Sequence, residues 1–390
     1  MKKVSQKALE MPGSGIREIM DLAWREPDCI HLEVGQPDFP TPSHIKEAGI
    51  KAIEQDFTGY TPSRGIPELR EAICKKLWEK NGIKATGDNI TVCPGAVTAL
   101  DSAIMTLVED GDEVLLPDPG WPNPEMMVKF LGGIPVHYHL LPQKSFLPDL
   151  QEMEEKITPK TKAIVLNTPS NPTGAVFSEE LLKGIYRLVQ KYDLYLITDE
   201  IYEDLVFEGR HFSVAGIDQE ERVLSVFGFS KSYAMTGWRL GYIFSPVKIS
   251  AIITKLQEPL VSCPSSISQK AGFAAISGPK EKVEEMRETY RRRRDLAVSI
   301  LKAYDLYEYT PGGAFYIMVN VSALGEDSRE VAKKILREHK VAVAPGTAFG
   351  ESMRKYVRVS LAASDDQIKT GLERICGAIK EARSSLKSNS

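Results

Sequence analysis

Several apolar runs in this 390-residue chain stop at a residue equipped for chemistry. VLSVFGFS ends in Lys231, and a Gly-Trp-Arg turn then delivers Arg239. LYLITD closes on the carboxylate of Asp199, with Tyr202 one turn on. KAIVLN leads into TPSNPTG and Asn171, EVLLP into DPGW and Trp121, and NITV into Cys93-Pro94-Gly95. A lysine amine kept from water attacks carbonyl carbons and carries protons. The amide, phenol, carboxylate, arginine and indole around it suit a flat, charged ligand. Singly, each residue has an ordinary reading: Gly95 as a turn, Trp121 as core, Asn171 as a β-turn former, Asp199 as a helix cap. Their shared position at the ends of apolar runs is the informative feature.

Those runs need elements to carry them. NITV (89–92), EVLLP (113–117), KAIVLN (162–167), LYLITD (194–199), VLSVF (223–227) and GYIF (241–244) are predicted strands. Each is nearly all apolar, as in a sheet covered on both faces. GAVTALDSAIMTLV (95–108) reads as a helix with Ala96, Leu100, Ala103, Ile104 and Leu107 on one face. SEELLKGIYRLVQKY (178–192) reads as a crossover helix, with Ser178 as N-cap and Glu179-Glu180 in its first turn. The pattern predicts an α/β fold, a mostly parallel sheet between helices. In such sheets ligands bind beyond the carboxyl ends of the strands.

The last third changes character. A long charged helix near 278–304 precedes AFYIMVNV, SREVAKKILREH, VAVAPG and YVRVSLA, which predict a smaller α+β domain. The expected division is an N-terminal arm (1–45) packing on the small domain, a large domain (46–280) and the small C-terminal domain (281–390).

Bulk properties exclude some functions. A composition 42% hydrophobic and 26% charged supports a large core, and a net charge of −4 argues against nucleic-acid or membrane-surface binding. The run Arg291–Arg294, after EKVEEMRE, is expected to pair at i, i+4 on a solvated helix face. Five dispersed cysteines without a CxxC imply no disulfide framework, no zinc site and a reducing compartment. With neither a signal-peptide core nor a membrane-length apolar run, the expected setting is the cytoplasm. His137 and His139 share a strand face without a third ligand nearby, so no metal site is expected.

Pyridoxal 5′-phosphate fits the residues at the strand ends. It needs an amine for a Schiff base, a carboxylate facing its pyridinium nitrogen and anchors for its phosphate. Lys231 supplies the first and Asp199 the second. The helix start at Gly95-Ala96-Val97 offers N–H groups to a phosphate, and Arg239 a charged donor. Trp121 suits stacking on the ring, while Asn171 and Tyr202 suit its phenolic oxygen.

Taken in order, VGQPDFPTP, YTPSRGIPELREAI, NTPSNPTG, TDEIYEDLVF, FSKSYAMTGWRLGY and YVRVSLA span nearly the whole chain. Together they resemble the class I/II aminotransferases of the fold-type I pyridoxal-phosphate enzymes. The resemblance implies transfer of an amino group from an L-amino acid (aspartate, aromatic or similar) to a 2-oxo acid such as 2-oxoglutarate. It implies that Lys231 is the Schiff-base lysine and proton shuttle, that Asp199 partners the pyridinium, and that Tyr202 and Asn171 contact the phenolate. It assigns Arg239 to the phosphate, Trp121 to ring stacking, and Arg358, with Gly35 and Asn171 nearby, to the substrate α-carboxylate. Tyr60 matches a tyrosine that reaches the phosphate of the neighbouring subunit, which implies a homodimer with shared active sites.

Departures from the family pattern concern phosphate and substrate. Gly228 stands where many members carry a hydroxyl for the phosphate, and Ser230 is the candidate replacement. Val97 stands where some bacterial aspartate transaminases carry a lysine for the distal carboxylate, and Glu258 lies near the expected second arginine. Arg17 and Arg64 are the candidates to compensate, so distal specificity is open, and broad activity including aspartate, glutamate and aromatic donors is expected. A C–S β-lyase on the same scaffold is the alternative enzyme. A DNA-binding sensor is disfavoured, because GQPDFPTP begins near residue 35.

Overall fold

Runs that are apolar on both faces become interior strands, because only a sheet covered on both sides hides them. The computed structural model describes residues 3–388. In chain order its strands are β1 (Ile30–Leu32), β2 (Ile90–Cys93), β3 (Glu113–Asp118), β4 (Ile134–His139), β5 (Thr161–Asn167), β6 (Tyr195–Asp199), β7 (Val223–Gly228), β8 (Gly241–Phe244), β9 (Tyr316–Asn320), β10 (Val341–Pro345) and β11 (Tyr356–Ser360). One sheet has the order β2-β8-β7-β6-β5-β3-β4 and a second β1-β10-β11-β9. The predicted α/β class, with a mostly parallel sheet and a smaller α+β part, is what the chain adopts.

In the seven-stranded sheet only β8 is antiparallel to its neighbours. The carboxyl ends of β2, β3, β5, β6 and β7 therefore share one edge. Because β8 runs the other way, its first residue, Gly241, is in register with both Cys93 and Gly228. Arg239, two residues earlier, thus arrives at the edge that carries Gly95 and Lys231. The helix Glu179–Lys191 starts as predicted, with Ser178 Oγ accepting from the Leu181 N–H. His137 and His139, alternate residues of β4, each face a carboxylate, Glu125 at 3.1 Å and Glu152 at 2.6 Å.

The smaller sheet carries Arg358 near its middle, in register with Ala344 on β10 and Met318 on β9. β1 adds to β10 in parallel, which brings the following Glu33-Val34-Gly35 segment alongside.

The arginine run departs from expectation. Arg291 does lie on an exposed face and pairs with Glu288 at 2.8 Å, an i, i+3 contact. Arg293 and Arg294, however, are buried. Arg293 makes a two-pronged contact with Asp38, both prongs 2.8 Å, and bonds Asp365 at 3.0 Å. Arg294 reaches Glu208 and the Pro311 carbonyl, both at 2.6 Å. Helix geometry explains the correction: successive residues turn by about 100°, so four in a row cannot share one face. The buried pair fastens the GQPDFP segment and the 205–211 loop to the long helix Glu281–Ala303.

Removing a buried charge partner leaves its carboxylates unpaired, whereas an exposed pair contributes little. Arg293→Ala is expected to lower unfolding free energy by about 2–3 kcal/mol in a denaturant titration. Arg291→Ala is expected to cost less than about 1 kcal/mol. Equal effects would contradict the difference in burial.

Candidate active site

A cavity of about 320 Å³ opens at the common strand edge. Of the predicted site residues, all but Gly95 and Tyr60 line it. They arrive from both sheets: Asp199, Asn171 and Lys231 from the ends of β6, β5 and β7, and Arg358 from β11. An adjoining cavity of about 470 Å³ shares the walls formed by Trp121 and Asp199.

Lys231 Nζ donates to the Gly35 carbonyl at 2.5 Å. Burial, aided by the charges of Arg358 and Arg239 and opposed by Asp199, pulls its pKa down to about 8. The approach demands a glycine at 35, since a Cβ there would lie 2.2 Å from the Tyr316 hydroxyl oxygen. Asp199 is displaced in the opposite sense. Burial raises its pKa to about 7; the Ile201 N–H and Lys231 pull it down, and the charge of Glu200 pushes it up. The only hydrogen-bond donor to its carboxylate among the described residues is the Ile201 N–H at 3.2 Å. Asn167 steadies the neighbourhood, donating to the Asp199 carbonyl at 3.1 Å and accepting from the Asn171 N–H at 2.6 Å.

Arg358 is buried, its guanidinium carbon 4.3 Å from the Tyr316 ring centroid and 4.8 Å from that of Phe349. One Nη donates to Asn171 Oδ1 at 2.9 Å and the other to the Glu33 carbonyl at 2.5 Å. Its Nε is buried without an acceptor among the described residues. A buried donor left unpaired costs free energy, so an anionic ligand is its natural complement. Burial also raises the Tyr202 phenol pKa well above its usual range, so this group stays protonated. Its hydroxyl lies 2.8 Å from that of Tyr316.

At the other end Gly95 has φ 91° and caps the helix Ala96–Leu107. A Cβ on Gly95 would come within 2.5 Å of Arg239 Nη2, so glycine is what lets the guanidinium lie against the helix start. Ser230 lines the cavity, whereas Gly228 packs tightly against Ile201.

Some candidates lie elsewhere. Tyr60 is 93% exposed, outside the cavity formed by its own chain. Arg64 pairs with Asp88 at 2.6 Å, and Arg17 points to solvent while its neighbour Ile16 lines the cavity. Glu258 is exposed. Conversely, sequence reading missed Tyr316, which touches Tyr202, Arg358 and the space beside Gly35. AFYIMVNV was legible as part of the smaller α+β set, but the β9–β11 pairing that sets Tyr316 near Arg358 was not.

The family model described as aminotransferase class I and II matches residues 27–375. The chain belongs to this family. It is 39% identical to the aspartate/prephenate aminotransferase of Thermus thermophilus, over 97% of this chain and 95% of the relative. The solved structure of aspartate aminotransferase from T. thermophilus with maleate superposes with a TM-score of 0.93 at 38% identity, covering 97% of this chain and all of that one. The aromatic aminotransferase from Pyrococcus horikoshii gives a TM-score of 0.89 at 38% identity, covering 94% and 99%. This aminotransferase is therefore a fold-type I transaminase dependent on pyridoxal 5′-phosphate. Its residues fit the cofactor: an amine near neutrality, a buried carboxylate with room for a partner, and an arginine beside a helix start.

If Lys231 is the amine that takes up the cofactor, borohydride should fix pyridoxal phosphate on that residue alone, as read by peptide mass. With an amine pKa of about 8, the rate of cofactor attachment should rise with pH up to about 8 and then level off. Lys231→Ala should show no fixed cofactor. Labelling at another lysine would overturn the assignment.

Proposed function

We propose that this aminotransferase moves the amino group of an L-amino acid to a 2-oxo acid such as 2-oxoglutarate, with Lys231 as the proton-transfer base. The observation that carries the reading is the convergence of Lys231, Asp199 and Arg358 on one cavity. When bound, pyridoxal 5′-phosphate supplies an aldehyde to receive the amino group and a ring to accept the electrons left at the substrate Cα. Arg358, fixed between two aromatic rings, grips the substrate α-carboxylate through its fork. Lys231 Nζ, already easily deprotonated, is placed to take the proton from the substrate Cα. Asp199, lining the same cavity, would supply the carboxylate that keeps the ring nitrogen of the bound cofactor protonated. Tyr202 and Asn171 would hold the ring oxygen of the cofactor, and Trp121 would pack on its ring. Ser230, Arg239 and the N–H groups at Ala96 and Val97 would hold the phosphate.

Donor range follows from the walls. The names of similar proteins include aspartate, prephenate and aromatic substrates. Neither Arg17 nor Arg64 lines the cavity, while Ile16, Val34 and Val97 do. Aspartate, glutamate and aromatic donors are all proposed substrates, without strict preference for a second carboxylate.

The assembly is proposed to be a homodimer with shared sites. The 93% exposure of Tyr60, outside the cavity of its own chain, supports this reading. A cytoplasmic setting is proposed from the five free cysteines. The division into an arm (1–45), a large domain (46–280) and a small domain (281–390) is likewise proposed, supported by the β1–β10 pairing.

Single turnovers with a panel of amino donors test the reaction, followed as loss of the cofactor's aldehyde absorbance. Asp199→Asn should keep the cofactor yet slow these turnovers by about 10²-fold or more, and Asp199→Glu should retain more activity. Near-parent rates in the Asn variant would remove Asp199 from this role. Release of pyruvate and ammonia from cystathionine without any oxo acid would favour the lyase alternative.

Shared sites predict complementation. Tyr60→Phe alone should weaken cofactor retention by about 1.5–3 kcal/mol, the worth of a hydrogen bond to a charged group. Mixed with Lys231→Ala, it should form heterodimers with one doubly damaged and one intact site, and activity above either stock. No recovery despite proven subunit exchange would mean that Tyr60 acts within its own chain.

A further inference from the structure

Tyr316 lines the cavity and touches both Tyr202 and Arg358, yet no step proposed for the reaction uses it. Its place follows from strand pairing. On the antiparallel β9–β11 pair Arg358 is in register with Met318, so Tyr316 is its diagonal neighbour on the same face. The Tyr316 ring packs on the guanidinium, and its hydroxyl fills the space that a Cβ on residue 35 would need. The rings of Tyr202 and Tyr316 meet edge-on at 5.8 Å between centroids. Phe315 packs against both, at 5.5 Å and 4.8 Å. Three buried rings thus hold the two hydroxyls 2.8 Å apart.

Charged groups face this pair from three elements. Asp199 stands at the end of β6, and Arg358 on β11. Lys231, in the loop after β7, has its Nζ 5.9 Å from the Tyr202 ring centroid. Burial raises the pKa of both phenols; Asp199 adds to the rise at Tyr202, and the charge of Arg358 opposes it at both. Both hydroxyls therefore keep their protons at neutral pH. Among the described residues, neither hydroxyl has another hydrogen-bond partner.

A phenol has one proton to donate and lone pairs to accept with. The pair therefore holds two protons and one shared bond, so one proton closes that bond and the other points elsewhere. If the Tyr202 proton goes to the ring oxygen of the cofactor, only the Tyr316 proton is left to close the shared bond.

We propose that Tyr316 is a positioning residue that acts through Tyr202: its hydroxyl donates to the Tyr202 oxygen and so directs the Tyr202 proton onto the ring oxygen of the cofactor. The inference rests on the reading that Tyr202 contacts that oxygen. Donation into Tyr202 also polarises its O–H, because hydrogen bonds in a chain strengthen one another. A stronger bond to the ring oxygen favours its ionised form, so the bound chromophore gives up its proton at lower pH. Removing either hydroxyl must raise that pH.

The test follows the absorbance of the full-length protein loaded with pyridoxal 5′-phosphate as pH is varied, and reads the midpoint of its change. Tyr202→Phe is expected to raise the midpoint by about one to two units, the loss of one hydrogen bond to a charged group. Tyr316→Phe is expected to raise it by about half a unit. Phenylalanine keeps a ring against Arg358, so KM for amino donors should stay within about twofold of the parent. Tyr202→Phe/Tyr316→Phe is expected to match Tyr202→Phe, because the relay has nothing left to act through. An unchanged midpoint in Tyr316→Phe would overturn the proposal, whatever its KM. A lowered one would also overturn it, showing that Tyr316 competes for the Tyr202 proton. So would a double variant in which the two shifts add. Should Tyr316→Phe fail to fold by circular dichroism, the double variant, which leaves no lone hydroxyl, decides: a midpoint equal to that of Tyr202→Phe supports the relay, and a further shift overturns it. An unmoved midpoint in Tyr202→Phe would instead overturn the reading of Tyr202 itself.

Discussion

Keeping an amine and a carboxylate out of water in one cavity is the constraint on which the structure depends. Desolvation moves both toward neutrality, Lys231 down to about 8 and Asp199 up to about 7. An unsupported pair would be costly to bury. The fold supports them by bringing strand ends together, so that each charged group has backbone or amide partners within one edge. Lys231 has the Gly35 carbonyl, Asp199 the Ile201 N–H, and Arg358 both Asn171 and the Glu33 carbonyl. The single antiparallel strand β8 matters for the same reason. Reversing it turns a loop that would otherwise leave the site into one that returns Arg239 beside Gly95.

Much of this was legible in the sequence because parallel strands buried on both faces leave long apolar runs, and such runs have conspicuous ends. Lys231, Asp199 and Asn171 each stand at such an end, and Ser178 announces its helix by cap chemistry that is purely local. What escaped was set by contacts between distant segments. Arg293 meets Asp38 across more than 250 positions, and a run of four arginines looks the same whether two are buried or none. Tyr316 is likewise an ordinary strand aromatic until β9 pairs with β11. Ile16, not Arg17, lines the cavity because the helix Gly15–Ala23 turns one residue inward and its neighbour outward, a phase that a short amphipathic stretch does not reveal.

The polar residues outside the cavity form the support on which the site stands. Asn167 links the ends of β5 and β6 with the loop that carries Asn171. Behind the sheet edge, Thr198, Ser213 and His211 saturate Glu200. Such networks are favourable only when nearly complete, since each buried polar atom left alone is expensive. Of the buried side-chain polar atoms without a partner among the described residues, Arg358 Nε is the one in a residue that lines the cavity.

Arg358 and Lys231 belong to different sheets, and that division has a consequence for natural variation. The distance between them is set by how the two sheets sit together, and therefore by remote contacts such as Arg293 with Asp38 and Arg294 with Glu208. A misplacement of about 1 Å between reacting groups can cost on the order of a hundredfold in rate. Substitutions at these distant fastenings can therefore retune the enzyme's speed while every residue facing the substrate stays the same. Orthologues with identical cavities need not share a rate.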